Sequence, residues 1–188
     1  MQIRIDPFQV GLRDDVLSGW YREATGELMF GCPIGPEDVV LDVGCGEAVL
    51  RSFLPQDLIY LGVEPSGKAL VGHSDVAHST AEDFVAEGNR WDCIVFNEVL
   101  YYSRDPIYLL RKYAQFLLPG GQIIISIYQN PGALSLKRRL LRYLQPRRPM
   151  SNIHCTQMIA DFMFRQRWKI DTDDLVAGRW RIWTTRPV

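Results

Sequence analysis

The chain has 188 residues, 47% of them hydrophobic, with 21 Lys and Arg against 22 Asp and Glu, a formal charge of −1. That size suits one layered core, and the balanced, apolar-rich composition excludes a disordered chain and gives no general basis for nucleic-acid binding. The apolar runs are strand-sized or amphipathic, too short for a bilayer span, and "MQIRIDPF" has no basic-then-apolar leader, so a soluble cytoplasmic protein is expected.

Along the chain, residues 14–29 place Val16, Leu17, Trp20, Tyr21, Ala24 and Leu28 on one helical face, a helical cap within residues 1–37. "DVVLDV" then reads as a buried strand, "EAVLRSFL" as a helix, "LIYLGVE" as a strand and "SGKALVGH" as a short helix. A weak strand near "DVAHST", a short helix at "AEDFVAEG" and a strong strand at "WDCIVFN" follow. In "RDPIYLLRKYAQFLLPGG", Asp105 suits a cap, Pro106 the first helical position, and Pro119-Gly120-Gly121 a stop. "QIIISIY" is a buried strand, "LSLKRRLLRYL" a basic amphipathic helix within an insertion over residues 133–150, and "TQMIADFMFRQ" a helix capped by Thr156. "WKIDTDDLVAG" and "RWRIWTTRP" form a closing antiparallel hairpin, with the acidic 171–174 stretch as a solvated turn. The expectation is a single α/β domain over 1–188, three layers around a doubly wound, seven-stranded and mostly parallel sheet with an antiparallel last strand.

The stretch "VVLDVGCGEAVL" runs from a strand through Asp42 into Gly44 and Gly46. A dinucleotide turn wants a third glycine for close helix packing, and that position is Val49; a P-loop needs Gly-Lys-Ser/Thr, which does not follow. What remains is Asp-x-Gly-x-Gly, two positions where a ligand can touch bare backbone. Twenty residues after Gly44, "LIYLGVE" ends in Glu64, where doubly wound folds place an acid that accepts from ribose hydroxyls.

On these residues the chain resembles the class I S-adenosylmethionine-dependent methyltransferases over roughly residues 38–185, with "LDVGCGEA" similar to their first motif and "YLGVEPS" to their second. The resemblance implies that Asp42 and the Gly44-Cys45-Gly46 backbone serve the cofactor's amino-acid portion, Glu64 the ribose, and Pro65 the adenine surroundings. "STAEDF" is similar to the segment after the third strand that meets the adenine; Thr80 stands where the family has an acid, which leaves the Ala81 N–H with Glu82 or Asp83 as substitutes. "WDCIVFNEVLYYSRDP" resembles the fourth strand and its turn, with Asn97 toward the methionine portion, and "LLPGGQIIIS" the entry to the fifth.

Methyl transfer from a sulfonium is an in-line displacement in which the protein chiefly aligns the partners; an oxygen acceptor usually needs a base, and an amine must arrive unprotonated. Among the candidates, His154 resembles a histidine of many relatives, with capping or packing as the alternative, and Tyr101 and Tyr102 stand at the cleft mouth, one toward the pocket and one toward the core. His73 and His78 read as solvated or packing residues, and Trp20 and Tyr21 as a lid, with core packing the alternative for Trp20. Asn97, Glu98 and Asn130 contain one carboxylate, too few for a metal site, and Cys32, Cys45, Cys93 and Cys155, without a C-x-x-C pair, read as structural thiols. The expected reaction moves a methyl group to an O or N atom of a small molecule, leaving S-adenosylhomocysteine. Residues 135–149 carry six basic residues and no acid: a solvated face, or a contact for an anionic or carrier-linked substrate, a membrane surface or a protein partner. "NEVLYY" does not match the nucleic-acid methylating motif, so no nucleic-acid partner is expected. The rivals are a non-catalytic cofactor-binding or scaffolding protein and a nicotinamide oxidoreductase, the latter opposed by Val49 and by the expectation of no catalytic Tyr-x-x-x-Lys pair.

Overall fold

The computed structural model describes residues 34, 37–55, 57–67, 74–129, 152–176 and 180–188. The expected first helix at 14–29, the helix around 68–73 and the basic segment at 135–149 lie outside the described residues, as do His73, Trp20, Tyr21, Cys32 and Asn130. Strands β1 (Val39–Val43), β2 (Ile59–Glu64), β3 (Val76–His78), β4 (Trp91–Asn97), β5 (Leu117–Tyr128), β6 (Lys169–Val176) and β7 (Trp180–Arg186) make one sheet in the order β3-β2-β1-β4-β5-β7-β6. Pairings from β3 through β5 are parallel, and β7 runs antiparallel to both β5 and β6. Thus β7 enters beside β5 and leaves β6 at the edge, the closing hairpin expected from the short connection.

The central strands are apolar along their whole length because both faces are covered. Alternate residues serve opposite sides: Leu41, Val43, Ile94, Phe96, Ile123 and Ile125 pack with helices α1 (Pro106–Ala114) and α2 (Asn152–Arg165), through Leu109, Leu110, Tyr113, Ile159 and Met163. Val40, Cys93, Val95 and Ile124 face the other way, onto Leu50, Leu54, Tyr128 and Trp180. Each fully buried Leu or Ile contributes about 1.5–3 kcal/mol. Strand order reverses between β1 and β4, so the crevice at their carboxyl ends is where the topology places a ligand.

Five local expectations are corrected. After β1 there is one 3-10 turn, Val49–Phe53, and no longer helix: Ala48 sits at φ 51, a left-handed conformation that cannot open an α-helix, and Pro55 ends the segment. The "AEDFVAEG" segment is a turn. The carbonyls of Ala81 and Glu82, which a helix would offer to residues 85 and 86, accept instead from Tyr113 and Lys112 of α1. Helix α1 keeps its expected start, with Asp105 accepting from the Tyr108 N–H and Pro106 in the first turn, but ends at Ala114. Phe116 leaves the helix to pack with Phe84, Trp91 and Tyr113. Pro119-Gly120-Gly121 lies inside β5, at a register shift opposite Trp91 and Cys93, where a Cβ on Gly121 would sit 3.0 Å from the Asp92 carbonyl oxygen. Helix α2 starts at Asn152, so Thr156 is inside it and is no cap. The acidic 171–174 stretch belongs to β6, where Asp171 pairs with Lys169 and Arg186, and Asp173 with Arg181.

No helix among the described residues is long and apolar enough to cross a membrane. Cys45, Cys93 and Cys155 are buried, and none of them is in a disulfide.

Candidate functional site

Strand β1 delivers Asp42 to the crevice in a buried position, 2% exposed, where the Tyr60 hydroxyl donates to its Oδ2 at 2.8 Å. Burial pushes the Asp42 carboxyl up to about 7; the Tyr60 hydrogen bond opposes that and the charge of Glu64 adds to it. The chain then turns at Gly44 (φ 73) and Gly46 (φ 55), with the N–H groups of Gly44 and Cys45 both donating to the Val63 carbonyl of β2. The Cys45 side chain tucks under this turn against Gly62, where a Cβ would lie 2.5 Å from its Sγ. Burial raises the Cys45 thiol far above its ordinary range, so it packs and does not act as a nucleophile.

The two turn glycines differ in what surrounds them. Among the described residues nothing lies within 4 Å of a Cβ placed on Gly46, which leaves that stretch of backbone open to them. On Gly44 a Cβ would collide with Val99 Cγ2 and lie 2.9 Å from Val99 Cβ. The space that a Cβ on Gly44 would take is filled by a side chain from the turn after β4.

Glu64, at the end of β2, holds the glycine turn from the side. Its Oε2 accepts from the Gly46 N–H at 3.1 Å and its Oε1 from the Ser66 N–H at 2.9 Å. Each oxygen keeps further acceptor capacity. Next to Glu64 in the register, His78 of β3 bonds through Nε2 to the Pro65 carbonyl at 2.8 Å, which binds the strand end to the segment beyond β2. The turn after β3 follows directly: Thr80 Oγ1 donates to Asp83 Oδ2 and accepts from the Asp83 N–H, and Glu82 Oε1 accepts from Ser103 Oγ at 2.9 Å.

After β4 the backbone passes through Glu98 at φ 62, a left-handed conformation that is costly for a non-glycine residue. It is held there by its N–H on the Ser126 carbonyl and by the Tyr101 hydroxyl, which donates to Glu98 Oε2 at 2.9 Å. Ser126, paired with Asn97 in the β4–β5 register, donates through Oγ to Asn97 Oδ1. Tyr101 is 4% exposed, its hydroxyl raised well above its ordinary value by burial, and its ring lies 4.5 Å from that of Tyr102, which is 44% exposed. The tyrosine pair thus divides between core and surface. His154 is exposed in the first turn of α2, whose Thr156 accepts from Gln129 just beyond β5.

The structure therefore gathers Asp42, Gly44, Cys45, Gly46, Glu64 and Pro65 at adjoining ends of β1 and β2, reaches Asn97 through the Gly44–Val99 contact, and ties Ala81 and Glu82 to α1. Among the described residues no group of three His, Cys, Asp or Glu converges to hold a metal ion. Local sequence assigns no role to Val99, Tyr60, Lys112 or Tyr113; only their partners across the fold reveal one. A Tyr-x-x-x-Lys spacing does occur at Tyr108 and Lys112, but Tyr108 is 51% exposed and Lys112 is engaged with the carbonyls of residues 81 and 82.

A family profile described as "Methyltransferase domain" matches residues 22–169. The ubiquinone biosynthesis O-methyltransferase of Aliivibrio fischeri is 27% identical over 170 residues, covering 76% of this chain and 68% of that protein. The one from Cereibacter sphaeroides is 29% identical over 113 residues, covering 52% of this chain and 44% of its own length. The chain spans about half the length of several of the curated relatives it matches. In solved structures, the N-methyltransferase NodS from Bradyrhizobium japonicum in complex with S-adenosylhomocysteine superposes with a TM-score of 0.65 at 14% identity, over 88% of this chain and 86% of that one. The complex of the Haloferax volcanii Trm112 methyltransferase activator and a putative methyltransferase matches with a TM-score of 0.68 at 15% identity, over 94% of each chain. At such identities the superpositions show the shared fold: a mostly parallel seven-stranded sheet of the Rossmann-like methyltransferase type.

Proposed function

The chain belongs to the methyltransferase domain family, and we propose that it moves the methyl group of S-adenosylmethionine to an oxygen or nitrogen atom of a small molecule. The observation that carries this reading is the bond between the Gly46 N–H and the Glu64 carboxylate, which sets an open glycine backbone beside an acid with acceptor capacity to spare. A nucleoside cofactor fits that pairing: Glu64 would accept from the two ribose hydroxyls while the bare backbone at Gly46 lets the amino-acid portion approach. When bound, the cofactor supplies an activated methyl group.

The remaining roles fall to the chain's own groups. Asp42 and Cys45 support the turn from beneath, Pro65 with Ala81 and Glu82 flank the base, and Asn97, held by Ser126, stands at the far side of the crevice. Acceptor binding falls to the turn after β4 and the head of α2, where Tyr102 and His154 are exposed. Of the three candidates for acceptor chemistry, Tyr101 serves by fixing Glu98. His154, exposed at the head of α2, is the side chain we assign as the base for an oxygen acceptor. Aligning acceptor and methyl supplies on the order of 7–11 kcal/mol of barrier in favourable cases, so the remaining chemistry asks little of any one side chain. The relatives named as O-methyltransferases support an oxygen acceptor, and NodS keeps nitrogen open.

Calorimetric titration with S-adenosylhomocysteine and, separately, with NADH tests the cofactor. Micromolar affinity for the former alone is expected, followed by methyl transfer to members of a phenol and amine panel. A folded protein that binds NADH and not S-adenosylhomocysteine would overturn the assignment.

A further inference from the structure

Helix α1 reaches across the molecule to the turn after β3. Lys112 Nζ donates to the Glu82 carbonyl at 2.6 Å and lies 3.4 Å from that of Ala81, which also accepts from the Tyr113 hydroxyl at 3.0 Å. Two consecutive carbonyls are thereby taken by two consecutive side chains of one helix. Both donors are built in. Tyr113 is fully buried and stacks on Phe84 with centroids 6.2 Å apart, and Lys112 is partly buried, its pKa lowered by that burial against the pull of Asp83 and Glu82. A half-buried ammonium aimed at backbone carbonyls orders them more firmly than a neutral donor does.

The turn so held stands at the carboxyl edge of the sheet, where His78, just before it, pairs with Glu64 in the register and bonds to the Pro65 carbonyl. On its other side Glu82 is fixed by Ser103, whose Oγ also accepts from the Asp105 N–H at the start of α1. The turn is therefore clamped at both ends of one helix. The turn carries what a heteroaromatic base needs: backbone amides and the Glu82 and Asp83 carboxylates, whose oxygens keep acceptor capacity beyond their bonds to Ser103 and Thr80, next to the acid assigned to the ribose.

We propose that Lys112 and Tyr113 are positioning residues that hold the Ala81–Glu82 turn in the shape that receives the cofactor's purine, so that α1 sets the selectivity for adenine. The inference rests on the S-adenosylmethionine reading given above. Neither residue touches the cofactor; each acts by fixing the peptide unit whose carbonyl it holds, and with it the course of the turn beside the base. Lys112→Met removes the charged donor at similar length, and Tyr113→Phe removes one hydroxyl while keeping the ring in the core.

The test compares binding of S-adenosylhomocysteine with that of its hypoxanthine counterpart, S-inosylhomocysteine, by calorimetry on the whole chain. In the wild-type protein the adenine compound is expected to bind at least tenfold more tightly. In Lys112→Met its affinity falls about fivefold or more while that of the inosine compound changes little, so the ratio collapses; Lys112→Arg restores most of it. Should Lys112→Met not fold, Tyr113→Phe carries the test, with a smaller fall in the same ratio. A folded variant with an unchanged ratio, including one in which both affinities fall in proportion, overturns the inference and leaves the cofactor assignment standing. Wild-type protein that binds neither compound overturns the assignment and this inference with it.

Discussion

The turns after β1 and β4 meet at the same crevice and are shaped by opposite means. The first owes its course to residue type: Gly44 and Gly46 adopt positive φ without a steric penalty, and the backbone closes on Val63 and Glu64. The second forces a glutamate into the same left-handed region and holds it with Tyr101 and Ser126. Such a residue stores about 1–3 kcal/mol that its partners must offset. The two turns are also joined, because Val99 fills the space that the missing Cβ of Gly44 leaves. A glycine in such a turn can thus serve a neighbouring loop, as Gly44 does for Val99, while among the described residues the space beside Gly46 is open.

Gly44→Val breaks the comparison most severely. It adds strain at a positive φ to a collision with a stiff β-branched side chain, together about 3 kcal/mol or more, and we expect loss of folded protein at physiological temperature. Gly44→Ala with Val99→Gly separates the causes: the double variant should regain most of the thermal stability that Gly44→Ala alone loses. Equal melting temperatures for Gly44→Ala in both backgrounds would sink the Val99 contact.

Asp42 supplies the next largest effect, through pH. Its folded-state pKa of about 7 lies above the ordinary value of 3.8, so the folded chain keeps a proton that the unfolded chain releases between those values. The wild type is favoured at the acidic end and loses that stability as pH rises from about 4 to 7, on the order of 2–3 kcal/mol after allowance for relaxation. Asp42→Asn, which still accepts from Tyr60, should gain on the wild type over that window in melting curves taken at several pH values. Parallel curves would place the Asp42 proton elsewhere.

Glu64→Ala should weaken S-adenosylhomocysteine binding by about 1–3 kcal/mol, through lost acceptors for the ligand and loss of the Gly46 N–H partner. Titration of a folded variant with unchanged affinity would refute the ribose role. Tyr101→Phe, the smallest change, removes the donor to Glu98 and should cost about 1 kcal/mol in denaturant unfolding, with Tyr102 left at the surface. If Tyr101→Phe is neutral, the conformation of Glu98 does not depend on that hydroxyl.

Residue order was enough to identify all seven strands, because a parallel sheet covered on both faces imprints unbroken apolar runs such as those of β1, β4 and β5. It was also enough for the Asp42-x-Gly44-x-Gly46 turn, the acid Glu64 and the α1 start at Asp105-Pro106, since each is a local demand met by a particular residue type. Helix lengths were decided elsewhere. The segments at 81–88 and 115–121 have helical or helix-stopping composition, yet the first surrenders its carbonyls to Lys112 and Tyr113, and the second is drawn into β5 by the packing of Phe116. Likewise the partner of Gly44 is a valine 55 positions away, and the hydroxyl that steadies Glu98 belongs to a tyrosine expected to stand at a cleft mouth. Local composition records what a backbone can do; which hydrogen bonds and side chains claim it depends on residues brought close only when the sheet assembles.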